Sequence, residues 1–281
     1  MIIDGKALSA KIKEDLKIEV ENLNSKGIYP SLAVVLVGND PASEVYVRNK
    51  AIGCEKVGIK SYTYKLPENS STEEVLELLD TLNKDPKISG ILVQAPLPKG
   101  IDSEKVFEYI SPNKDVDGFT RASSGDLYLG KKDGFLPCTA FGVIELIKSV
   151  GVEIAGKTAV VVGRSTIVGK PTAHLLMDEN ATVTICHSKT PNIKEVCKRA
   201  DILVVAIGRK HFITKDMVKE GAVVIDVGIN RIDGKLYGDV DFENVKDIAS
   251  YITPVPGGVG PMTIAELLRN TVKAAVKQGK A

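Results

Sequence analysis

No stretch of the sequence reaches 18 consecutive apolar residues, which argues against a chain that crosses a bilayer as a helix. An excess of one charge is missing too: 37 Lys and Arg face 36 Asp and Glu, a formal net charge of +1. Nothing therefore marks a nucleic-acid binder, although a local patch can still serve an anionic small molecule. Cysteine is sparse. Cys54, Cys138, Cys186 and Cys197 lie far apart, with no CxxC and no metal-type Cys/His grouping; Cys186-His187 is adjacent but isolated. No metal is expected, and reduced thiols in a cytoplasmic protein are the simple reading. The opening Met1-Ile2-Ile3-Asp4-Gly5 lacks the basic segment, long apolar run and cleavage site of a signal peptide, which fits that expectation.

What is present is an ordinary globular composition. With 43% hydrophobic residues over 281 positions, the chain is long enough for one large or two modest domains. Short apolar runs alternate with helical patterns. Leu32–Val37, Ile91–Val93, Ala159–Val162, Thr182–Ile185, Ile202–Ala206 and Ala222–Val227 read as buried strands, rich in Val and Ile as a parallel sheet covered on both faces requires. Leu8, Ile12, Leu16, Val20 and Leu23 keep helical spacing. Val75, Leu76, Leu78, Leu79 and Leu82 do so behind a Ser71-x-x-Glu74 capping box. Strand and helix in alternation imply a doubly wound α/β architecture. The loop-rich stretch 111–139 is the expected seam between two α/β units, and a final helix is expected from about Met262.

The strand at 159–162 runs into Gly163-Arg164-Ser165-Thr166-Ile167-Val168-Gly169-Lys170-Pro171 and then a helical pattern. Strand, glycine turn and helix N-terminus make a phosphate site, because free backbone N–H groups and the helix dipole both favour anions. A Walker A loop is excluded by the spacing of Gly163 from Gly169-Lys170 and by Pro171 where a hydroxyl is needed. A simple tight turn is the competing reading. The next strand ends in Cys186-His187-Ser188-Lys189-Thr190, without the acid that would hold a ribose 2′-hydroxyl. Arg164 beside hydroxyl donors suits a 2′-phosphate, so the residue types favour NADP over NAD; solvated charges are the alternative.

Ser43-x-x-Tyr46-x-x-x-Lys50 puts three polar groups on one face of a helix. A partly desolvated Lys beside a phenol can work as an acid–base group, though the spacing alone favours a solvated face; Tyr128 and Lys132 repeat it. A short-chain dehydrogenase, whose Tyr-x-x-x-Lys follows its nucleotide motif, is excluded by order. Gly90–Pro98 ends a strand in Gln94 at the edge where open α/β sheets bind ligands. Lys114-Asp115-Val116-Asp117-Gly118 places carboxylates in a turn, where Asp115 reads as a cap and Asp117 as more. Thr253–Thr263 is rich enough in Pro and Gly to let backbone approach a flat ligand.

Together these segments, with Pro137-Cys138-Thr139 and Asp226-Val227-Gly228-Ile229-Asn230, resemble the bifunctional methylenetetrahydrofolate dehydrogenase/cyclohydrolase family over essentially the whole chain. The resemblance implies a folate-binding catalytic domain over 1–139 with a returning helix at 262–281, and a Rossmann-like NADP-binding domain over 140–261. It implies a homodimer acting on tetrahydrofolate derivatives: oxidation of the 5,10-methylene compound with NADP⁺, then hydrolysis of the 5,10-methenyl product to the 10-formyl one. By family pattern Lys50 is the acid–base group, Gln94 sets its protonation, Tyr46 stacks on the folate and Asp117 grips the pterin. Ser43 and Val93 join the substrate set, as do Pro256, Gly257 and Gly258. Gly163, Arg164, Ser165, Ser188 and Ile229 match cofactor positions. Ala95, Ala140 and Ser123 depart from the usual Leu, Pro and Asn, which puts the balance of the two activities in question. The rivals are a dehydrogenase-dominant enzyme of the same fold and a non-catalytic NADPH- or folate-binding protein; the second has no need of a Lys–Gln pair.

Overall fold

The computed structural model describes residues 1–131 and 133–279. Lys132, and the last two positions of the expected 262–281 helix, lie outside the described residues. The chain forms two compact units. One comprises Lys11–Cys138 and the chain from Ile264 onward; the other comprises Met1–Ala10 and Thr139–Thr263.

In the first unit, β1 (Ser31–Val37), β2 (Lys60–Leu66) and β3 (Gly90–Val93) form a parallel sheet in the order β2-β1-β3. Every residue of β1 and β3 is buried, as an apolar run inside a parallel sheet must be. Its helices are most of α1 (Gly5–Asn24), then α2 (Pro41–Val57), α3 (Thr72–Lys84), α4 (Ser103–Glu108) and α5 (Arg121–Tyr128). The capping box on α3 is present: Glu74 N–H donates to Ser71 Oγ at 3.1 Å and Ser71 N–H to Glu74 Oε2 at 2.7 Å.

Beyond residues 1–10, the second unit takes up the chain within α6 (Cys138–Ser149) and holds β4 (Thr158–Val162), β5 (Thr182–Cys186), β6 (Ile202–Val205), β7 (Val223–Asp226) and β10 (Tyr251–Ile252). These five parallel strands run in the order β10-β7-β6-β4-β5. Around them lie α7 (Gly169–Asp178), α8 (Ile193–Cys197), α9 (Phe242–Val245) and an antiparallel hairpin of β8 (Asn230–Ile232) and β9 (Lys235–Tyr237). Ile3 N–H donates to Ile252 O at 2.8 Å, so the first residues extend the β10 edge. The last helix, α10 (Val259–Gly279), passes from this unit into the first.

Two expectations need correction. β5 is not a buried strand. It lies at the sheet edge, with Thr182, Thr184 and Ile185 exposed, because only β4 pairs with it and its alternating Thr residues suit a wet face. The last helix starts at Val259, about one turn before Met262; Pro261 sits in the first turn, where a missing N–H breaks no helical bond.

Candidate active site

The site in the first unit starts with a helix fixed at both ends. Asp40 caps α2 by accepting from Ser43 N–H at 2.8 Å, Pro41 opens it, and Gly58 closes it at φ 81°. The spacing that groups Ser43 with Lys50 is therefore real, and the face is not solvated: Ser43 is 3% and Lys50 7% exposed, with Tyr46 half-buried beside them. Gly53, on the same helix, lies against α10, where an added Cβ would come within 3.1 Å of Ile264 Cγ2.

Lys50 Nζ donates to Gln94 Oε1 at 2.8 Å, and Gln94 Nε2 donates to Ala95 O at 2.6 Å. The second bond turns the amide so that its oxygen faces the amine. Gln94 follows Val93 at the C-terminal end of β3, where its backbone N–H donates to Val35 O. Ala95, the residue in place of Leu, takes part through its carbonyl alone and precedes a cis Pro96. Burial pushes the Lys50 amine below its usual range, and Asp117 opposes that shift. Asp117 keeps part of its surface open, yet burial pushes its carboxyl up to about 6, against the pull of Lys50 and with Asp115 adding to the rise.

The loop carrying Asp117 is held on both sides. Asp115 is the cap that its position suggests: its carboxylate accepts from the N–H groups of Gly118, Phe119 and Thr120 at 2.9–3.1 Å. Ser123 Oγ donates to the same carboxylate at 2.6 Å, so the Ser that replaces Asn is tied into this cluster. Val116 O accepts from Asn270 Nδ2 at 2.9 Å and from Cys138 Sγ at 3.3 Å. Sequence reasoning missed Asn270; a buried amide on an amphipathic helix has no local signature.

In the second unit the glycine turn is tightly packed. Gly163 has φ 129°, and an added Cβ would lie 2.3 Å from Ala206 O; at Gly169 it would lie 2.3 Å from Gly163 O. Ser165 Oγ accepts from the N–H groups of Val168 and Gly169 at 3.2 Å, shaping the entry to α7, whose N-cap has no side-chain bond of its own. Gly163 N–H donates to Cys186 O at 2.9 Å, so the ends of β4 and β5 lie side by side. Arg164 and Ser188, both exposed, flank that edge. No acid stands at the end of β5, and this donor set fits a phosphorylated ribose. Ile229 is exposed in the turn after β7. In the 254–258 loop Pro256 is exposed and follows a cis bond, and the glycines are packed: an added Cβ on Gly258 would lie 2.7 Å from Pro254 O, and Gly257 O accepts from Lys6 N–H.

Lys50, Gln94, Asp117, Ser43, Tyr46 and Val93 thus belong to the first unit; Gly163, Arg164, Ser165, Ser188, Ile229, Pro256, Gly257 and Gly258 belong to the second. Among the described residues, no group of three or more His, Cys, Asp or Glu is placed to hold a metal, and no helix is long and apolar enough to cross a membrane.

Two family models match. Tetrahydrofolate dehydrogenase/cyclohydrolase, catalytic domain, covers residues 3–117, and the NAD(P)-binding domain of the same family covers 137–279. The chain is 61% identical over 280 residues to the bifunctional protein FolD of Acetivibrio thermocellus, spanning 99% of this chain and 98% of that one. The bifunctional FolD methylenetetrahydrofolate dehydrogenase/cyclohydrolase of Campylobacter jejuni superposes with a TM-score of 0.97 at 53% identity, covering 99% of each chain. The methylenetetrahydrofolate dehydrogenase-cyclohydrolase of Trypanosoma brucei, solved with NADP and an inhibitor, gives 0.96 at 38% identity over 100% of this chain and 99% of that one. A chain matched on both halves, and so closely over its whole length, belongs to the tetrahydrofolate dehydrogenase/cyclohydrolase family.

Proposed function

We propose that this protein oxidises 5,10-methylenetetrahydrofolate to the 5,10-methenyl compound with NADP⁺ and hydrolyses that product to 10-formyltetrahydrofolate. The observation that carries the reading is the buried Lys50–Gln94 pair, 2.8 Å apart, with Asp117 charged against it. NADP⁺, when bound, supplies the hydride acceptor. Gly163 and Ser165 present the turn that would hold its phosphates, Arg164 and Ser188 would take the 2′-phosphate, and Ile229 would pack against it. Pro256, Gly257 and Gly258 are assigned to the substrate loop, Tyr46 to stacking on the pterin system, and Ser43 and Val93 to the pocket wall.

Hydrolysis asks for one group that is first a base and then an acid. The methenyl carbon is electrophilic, and water adds to it while giving up a proton. Lys50, lowered by burial and carrying a lone pair when neutral, takes that proton. Because the formyl group ends on N10, the bond from carbon to N5 breaks as the new hydroxyl gives up its own proton to solvent and becomes the carbonyl. The ammonium returns its proton to N5, so that one proton is released overall. Gln94 Oε1 accepts from Lys50 in either state and holds the amine in place. Asp117 is assigned to the pterin edge, where a carboxylate accepts from ring N–H groups.

A homodimer and a cytoplasmic setting belong to the same proposal. The family pattern supports the first, and four buried cysteines with free thiols support the second. Sedimentation should give about twice the chain mass of 30.1 kDa. The deciding assay supplies 5,10-methylenetetrahydrofolate with NADP⁺ or NAD⁺ and follows absorbance. Transient methenyl compound with NADP⁺ supports both activities, lasting accumulation supports a dehydrogenase alone, and no oxidation rejects the reading.

A further inference from the structure

Two carboxylates in the second unit have no part in the chemistry above, yet they gather more backbone than any other acids near the glycine turn. Asp239 is fully buried and Asp226 3% exposed. Asp239 accepts from three successive N–H groups, those of Ile207, Gly208 and Arg209, at 2.7–2.9 Å, and from Asn230 Nδ2 at 2.9 Å. Asp226 accepts from the N–H groups of Gly228, Asp239 and Val240 at 2.9–3.0 Å, and its own N–H donates to Thr253 Oγ1. Two glycines make room for them: an added Cβ on Gly228 would lie 2.2 Å from Asp239 Cγ, and one on Gly238 would lie 1.9 Å from Asp226 Oδ2.

The backbone they hold is at a telling place. The strand order β7-β6-β4-β5 reverses direction between β4 and β6, the switch point where open α/β sheets admit ligands. Gly163 leaves β4 on one side of that point. Residues 206–209 leave β6 on the other, so close that Ala206 O forbids a side chain at 163. Asp239 fixes three residues of that second lip, and through Asn230 it also fixes the turn that presents Ile229.

We propose that Asp239, with Asp226 behind it, is a positioning residue for the nicotinamide cofactor: it sets the 207–209 lip and the 228–230 turn against the glycine turn. A carboxylate is required because only acceptor oxygens can meet three converging N–H groups and an amide. This inference rests on the cofactor reading above and deepens it.

Asp239→Asn turns one acceptor into a donor that faces donors. The KM for NADP⁺, and its calorimetric Kd, should rise about tenfold or more, as expected when charge-assisted bonds are lost. Hydrolysis of the methenyl compound, which uses no NADP⁺ and whose acid–base groups lie in the first unit, should stay within twofold of wild type, as should dehydrogenase kcat at saturating NADP⁺. Unchanged NADP⁺ affinity in Asp239→Asn would overturn the role while leaving the function intact; wild-type protein that binds no NADP⁺ would overturn both. If Asp239→Asn does not fold, Asn230→Leu decides. It removes one donor from the cluster, and a several-fold rise in NADP⁺ Kd with unchanged hydrolysis supports the role, whereas an unchanged Kd rejects it.

Discussion

Lys50 is an amine that pays for its burial with a lowered affinity for protons, and that is what the proposed chemistry needs. Lys50→Met keeps the length and removes the amine proposed as the base. Methenyl hydrolysis should fall by at least about 10²-fold, with NADP⁺ affinity unchanged; activity within tenfold of wild type would remove Lys50 from the mechanism. Asp117 titrates near 6, so the sign of its pH effect follows from its role. In the proposed role it is the ionised form that accepts from the pterin, so folate KM should be lowest above that value and rise as pH falls through it. In Asp117→Asn this dependence should flatten, and affinity should drop about 10- to 150-fold at neutral pH. A pH profile identical in both proteins would mean that Asp117 does not meet the substrate. Arg164 stands exposed at the turn, and Arg164→Ala should weaken NADP⁺ far more than NAD⁺, read as kcat/KM for each. A constant ratio would make it an ordinary surface charge.

Elements explain why the residues within each unit come together, and also why only some of them are legible in the sequence. Strands β1, β3, β4, β6 and β7 stand out in the sequence because both faces are covered, which forces unbroken apolar runs. β2 reads Lys-Ser-Tyr-Thr-Tyr-Lys-Leu and was not recognisable as a buried run; it is an edge strand with water on part of its surface. The hairpin of β8 and β9 is too short to show a period. Candidate residues on motifs, such as Lys50 and Gln94, draw notice by spacing and edge position, but the spacing alone favours a solvated face for Lys50, and it is the family resemblance that assigns them. Asp239 and Asn270 draw none, since their partners are backbone groups distant in sequence. Gly90 shows how closely one element sets another. An added Cβ there would lie 2.4 Å from Val116 Cγ1, while Ile91 N–H holds Lys114 O at 2.8 Å. Gly90→Ala should push the 114–117 segment off β3, costing about 1–3 kcal/mol in denaturant unfolding and raising folate KM with NADP⁺ KM unchanged. Equal folate KM would mean the loop yields without moving Asp117.

At the scale of the whole molecule, each unit is built from both halves of the chain. Residues 1–10 complete the unit that holds β4 to β7, and residues from 264 onward complete the unit that holds Lys50. A fragment of residues 1–138 lacks Asn270, which satisfies Val116 O and Leu136 O, and lacks Leu268 against Gly53. It should show the circular dichroism of an unfolded or molten chain, and a peptide of residues 259–279 added in trans should restore structure. A fragment that folds cooperatively alone would show that α10 is dispensable to its unit.

The same crossing orders events on the ribosome. When residues 11–138 have emerged, their sheet can form, but the groove that takes α10 stays open while more than a hundred further residues are made. Contacts such as Asn270 to Val116, 154 positions apart in the chain, close last. A nascent chain of this protein therefore exposes apolar surface throughout that interval, and on ribosomes arrested behind a C-terminal extension protease protection of residues 11–138 should appear only once Asn270 has cleared the exit tunnel. Protection well before that point would mean the groove shuts without its helix.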